Sequence, residues 1–62
     1  MDLITAIHLA GQGSVVVQVK GSEDPTAFGI LERVTEDGWV GVRGPFNRYD
    51  EYRPQQLEID LT

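Results

Sequence analysis

The stretch VTEDGWVGVRG, residues 34–44, decides how this chain folds. Asp37-Gly38 is a dipeptide favoured in two-residue type I′ hairpin turns, where both central positions need positive φ. Apolar and polar residues alternate on either side of it, as they do in half-buried strands. With the turn placed there, Glu36 faces Trp39, Thr35 faces Val40, Val34 faces Gly41, Arg33 faces Val42 and Glu32 faces Arg43. Leu31, Val40 and Val42 then share an inward face, and Trp39 falls on the other side with Val34, Glu36 and Gly41. On this register Trp39 is at least partly exposed. Two roles stay open for it: packing over a barrel end or subunit seam, or a platform for a ligand.

Outward from the hairpin, residues 27–34 read as a strand in which Gly29 marks a bulge or sharp bend. Residues 21–26, with Asp24-Pro25 inside, read as an exposed loop. Residues 14–20 are rich in β-branched side chains, with Val15, Val17 and Val19 on one face and Val16, Gln18 and Lys20 on the other. Residues 2–9 fit a short helix through Leu3, Ile7 and Ala10, and fit a strand equally well by alternation; Gly11 and Gly13 end the segment either way. Residues 43–52 form a long loop or a ragged hairpin. Pro54 borders a last strand in which Leu57, Ile59 and Leu61 alternate with acids. The sum is one domain over residues 1–62, an all-β barrel of four or five strands with a short N-terminal helix or strand.

At 62 residues the chain is near the lower limit for a self-sufficient core, since such a domain buries only about 60% of its unfolded surface. Disulfides, metals and self-association are the usual supports. There is no Cys and a single His, His8, so neither a disulfide framework nor a zinc site is available from these residue types. A homo-oligomer is the remaining expectation, with the apolar strand at Leu57 and Ile59 as its contact. Residues 1–5 carry neither a basic region nor a long apolar run, which predicts no membrane span and a cytoplasmic location.

Ten acidic residues against five basic ones give a net charge of −5, which opposes a general affinity for phosphate backbones. Residues 43–53 reverse the balance, with Arg43, Arg48 and Arg53 against Asp50 and Glu51. Phe46, Tyr49 and Tyr52 lie among these arginines, and Trp39 adjoins them. Arginine pairs with carboxylates or phosphates while aromatic rings stack on bases or apolar side chains, so this is the candidate binding face. The competing reading is structural: the aromatic residues cap an open barrel and each Arg pairs with a neighbouring acid.

The order of elements resembles the small-barrel families. Val15, Val17, Val19 and Gly21, followed by Phe28-Gly29-Ile30-Leu31, resemble the Sm-like family with its Hfq-type members, which implies an RNA-binding ring. Tyr52-Arg53 is similar in character to part of that family's Tyr-Lys-His run, here without the His, and the loop at Thr35-Glu36-Asp37-Gly38 lacks the family's Asn. Tyr52-Arg53-Pro54-Gln55-Gln56-Leu57-Glu58 resembles the ending of Src-homology-3-like barrels, a group that includes the type II dihydrofolate reductase. The pore-lining Val-Gln-Ile-Tyr run of that enzyme has no counterpart here.

No nucleophile or acid–base group has a partner at catalytic spacing, Glu23-Asp24 and Glu36-Asp37 lack calcium-loop spacing, and Gly11-Gln12-Gly13 opens no helix that could cradle a phosphate. The residues therefore predict no catalytic or metal site and no cofactor. The reading is a non-enzymatic, self-associating binding module with a protein partner. Its alternatives are an RNA-binding Sm-like ring engaging single-stranded RNA, and a small oligomeric pore-type enzyme.

Overall fold

Asp2 decides between helix and strand for the N-terminal segment. In the computed structural model, which describes residues 1–60, its carboxylate accepts a hydrogen bond from the Thr5 N–H at 2.8 Å and caps helix α1, Leu3–Ala10. An Asp in this position satisfies one of the amides that a first helical turn leaves without partners. Ala6 is fully buried, and Leu9 and Ala10 pack against the core, whereas Ile4 and Ile7 point to solvent. The helix lies against strand β2, Phe28–Val34, and against the 3-10 turn Pro54–Gln56.

The strands are β1 (Val15–Val19), β2, β3 (Val40–Arg43), β4 (Tyr49–Tyr52) and β5 (Leu57–Ile59). They form one antiparallel sheet in the order β4-β3-β2-β1-β5. The two outermost strands are joined by only residues 53–56. Five Cα steps from Tyr52 to Leu57 span at most about 18 Å fully extended, and the 3-10 turn within them shortens that reach. Five flat strands would separate the outer two by about 19 Å. The sheet therefore curls on itself, and the domain is a small β-barrel-like fold capped by a short helix. Its core is Ala6, Val17, Leu31, Val40, Val42 and Leu57.

The hairpin at residues 34–44 exists, with a different tip from the one its sequence predicts. Glu36, Asp37 and Gly38 form a three-residue loop: the Gly38 N–H donates to the Thr35 carbonyl at 3.0 Å, and the Thr35 N–H to the Trp39 carbonyl at 2.8 Å. Gly38 alone takes positive φ, at 86°, which suits a type I turn followed by a left-handed residue. The Thr35 hydroxyl also accepts from the Trp39 N–H at 3.0 Å. Pairing consequently shifts by one residue from the expected register, and Val34 stands opposite Val40, on the inward side rather than beside Trp39.

A bulge restores the inward face beyond this point. Glu32 and Arg33 together oppose Gly41, so Leu31, and not Arg33 as expected, pairs with Val42, and both are buried. The bulge sits on β2 at Glu32 and not at Gly29. Gly29 instead marks a close backbone crossing, where a Cβ would come within 2.7 Å of the Arg43 carbonyl carbon. Residues 43–52 form the second hairpin, with a 3-10 turn at Pro45–Asn47 and β4 beyond it. In the last strand Leu57 is buried and Ile59 is 38% exposed; Leu61, expected to continue the alternation, lies outside the described residues. No helix among the described residues is long and apolar enough to cross a membrane.

Candidate functional site

The Arg/aromatic segment is divided by the fold among three places. Strand alternation causes this, since Tyr49 and Glu51 face one way from β4 while Asp50 and Tyr52 face the other. On the outer face, Tyr49 lies across Gly41, where any Cβ would strike its ring. The Arg43 and Arg33 guanidinium carbons stand 5.0 and 5.7 Å from the ring centroid. Arg33 Nε donates to the Tyr49 hydroxyl at 3.0 Å, and that hydroxyl donates to Glu51 at 3.0 Å. Arg43 is paired with both Glu32 oxygens, at 3.0 and 3.3 Å. The hydrogen bonds Arg43 donates to Glu32 raise the Arg43 pKa, and the one Arg33 donates to Tyr49 raises that of Arg33.

At the barrel end that carries the 34–44 hairpin, Trp39 is half-buried. The Arg53 guanidinium stacks over its ring at 3.9 Å from the centroid and donates to the Asp37 carbonyl at 3.0 Å. The ring is thereby covered by the chain's own cation, and the hairpin loop is tied to the connection between β4 and β5. This contact is packing in character, and the Arg53 guanidinium already has one acceptor and one ring here before any ligand is considered.

Phe46, Arg48 and Tyr52 meet at the opposite end, around an open cleft of about 320 Å³. Beneath it lie the buried core side chains of Val17, Val42 and Leu57, and Val19 is partly accessible beside them. Its rim adds Phe28, Thr26, Asp24 and Asp50. The Asp24 carboxylate accepts from the Thr26 N–H at 2.9 Å and from the Thr26 hydroxyl at 2.8 Å, and these bonds hold its pKa below the ordinary 3.8. Arg48 pairs with Asp50 at 2.9 Å. Desolvation, then the Asp50 charge, pushes the Tyr52 phenol above its ordinary 10.0, so it stays protonated at neutral pH.

Asp24, Thr26 and Phe28 were absent from the sequence-derived site because they come from the β1–β2 connection, far from residues 43–53 along the chain. The Asp-Pro turn signal marked a loop there, and nothing local showed which other loop it would meet. Among the described residues, no three His, Cys, Asp or Glu side chains come together as a metal site. No family model, curated protein or solved structure matches the chain. Geometry and charge are what bear on its function.

Proposed function

We propose that the chain is a non-enzymatic binding module of the cytoplasm, which self-associates through the edges of its curled sheet and engages a protein partner. One observation carries this reading: the strand order leaves β4 and β5 each paired on a single side. The Lys20 N–H donates to the Gln56 carbonyl and the Asp60 N–H to the Val16 carbonyl, so by antiparallel alternation Glu58 also turns its amide toward β1, and Ile59 turns its own outward. The Gly44 N–H donates to the Arg48 carbonyl, and the same alternation leaves Tyr49 and Glu51 facing outward from β4. The Met1 ammonium donates to the outward Leu57 carbonyl at 2.8 Å and so covers the start of the β5 edge, but the outward amides at Ile59 and on β4 still suit head-to-tail pairing, which closes into a ring or runs on as a filament. An assembly of this kind also fits the resemblance to Sm-like and Src-homology-3-like barrels.

A protein partner is favoured over phosphate by the state of the arginines. Arg33, Arg43 and Arg48 are held by Glu51, Glu32 and Asp50, Arg53 lies on Trp39, and the net charge is −5. The test is Ile59→Pro. Proline there removes an amide that points away from β1, so it blocks edge pairing while sparing the β1–β5 ladder. Sedimentation should show the assembly falling to single chains with the circular dichroism spectrum unchanged; an unaltered assembly would refute pairing through β5.

A further inference from the structure

Phe46 is 95% exposed and has φ 62° and ψ 25°. A bulky residue in the left-handed region is strained, and a ring in solvent returns almost none of that cost through burial. The fold gains nothing from having Phe at this position, where Gly would be unstrained. Strain of this kind at an exposed tip points to a demand from outside the chain. Its neighbour Asn47 has φ 61°, which that residue type tolerates better. The turn Pro45–Asn47 places Phe46 among the residues that line the cleft, as do Asp24 and Asp50.

We propose that this cleft, with Phe46 as its clamp, seats a linear peptide carrying a basic side chain next to an apolar one. The volume of about 320 Å³ is at the small end of ligand pockets and suits one or two side chains. Val19, Phe28 and Tyr52, which keep accessible surface above the buried Val17, Val42 and Leu57, offer an apolar wall to the first, and the exposed Phe46 ring supplies a further apolar surface beside it. Asp24 and Asp50 outweigh Arg48 by one negative charge, which favours a cation at the rim. The Tyr52 hydroxyl has no hydrogen-bond partner among the described residues and stands ready for a peptide carbonyl or amide. The same rim disfavours a phosphate chain, whose charge would meet both carboxylates.

The inference rests on the reading of the chain as a binding module, and its test separates the two. The 62-residue chain labelled with ¹⁵N is titrated with a capped hexapeptide containing Arg-Leu, with the same peptide containing Glu-Leu, and with a heptamer of single-stranded uridine RNA. Amide shifts should gather at Thr26, Gly44, Phe46 and Tyr52, with the Arg peptide bound at least tenfold tighter than the Glu peptide. Phe46→Gly should weaken that binding at least fivefold while the melting temperature holds or rises, and Asp50→Asn should weaken it with the fold intact. Equal affinity for the two peptides, no shift at millimolar peptide, shifts caused by RNA alone, or a Phe46→Gly variant that melts earlier would each overturn the proposal. Sedimentation on the same samples reports self-association independently, so an intact assembly without cleft shifts removes only this site.

Discussion

Gly29 and Gly41 show how much one methyl group decides in so small a core. At Gly29 a Cβ would meet the backbone carbonyl of Arg43, which cannot move without shifting β3; at Gly41 it would meet the Tyr49 side chain, which can swing away. Gly29→Ala should therefore cost about 2–3 kcal/mol, the upper part of the range for overpacked interiors, and Gly41→Ala distinctly less. Urea denaturation of the two variants checks the order, and equal losses would contradict it. Trp39→Ala should lower stability by about 1–2 kcal/mol, since a half-buried ring and its stacked cation are lost. In a domain of this size that is a fall of roughly 5–15 °C in melting temperature. A variant that melts like the parent while losing a partner would make Trp39 a platform instead. The inward faces of Leu31, Val40 and Val42 were legible from alternation alone. The position of Val34 was not, because a bulge of one residue leaves no mark in the apolar pattern.

At the scale of elements, two short side-chain caps make the fold sensitive to acid. The carboxylates of Asp2 and Asp24 both titrate below their ordinary 3.8, chiefly through hydrogen bonds from Thr5 and Thr26. Folded pKa values below the unfolded ones mean that this stabilisation is fully present above the ordinary value and is lost as pH falls through the folded values. The melting temperature should stay level from neutral pH to about 5 and drop below about 4. Asp2→Asn keeps a capping oxygen, so it should leave the neutral-pH melting temperature nearly unchanged and make the acid slope shallower. A slope identical to the parent's would contradict the assignment to Asp2. That cap is what separates helix from strand in residues 2–9, where the apolar spacing serves both. The same limit applies at Asp37-Gly38: a hairpin was legible there, but its three-residue loop is fixed by bonds such as that from the Trp39 N–H to the Thr35 hydroxyl, which dipeptide preference does not encode.

Across the whole molecule, the topology does what single residues cannot. The barrel-like curl follows from a four-residue connection between strands at opposite ends of the sheet, and the cleft lies where the β2–β3 pairing sets the β1–β2 loop beside the second hairpin. A site built from Asp24 and Asp50 was therefore beyond the reach of local composition, which found only the arginine and aromatic half. Self-association is the central proposal for the molecule, supported by a small core and by outward amides on β4 and β5. Backbone amide hydrogen exchange at Glu51 and Ile59 tests it most directly, because these N–H groups point away from the sheet and have no partner strand within one chain. Slow exchange at both amides, accelerating on dilution as the assembly comes apart, is the predicted result; exchange at the unprotected rate at every protein concentration would contradict it.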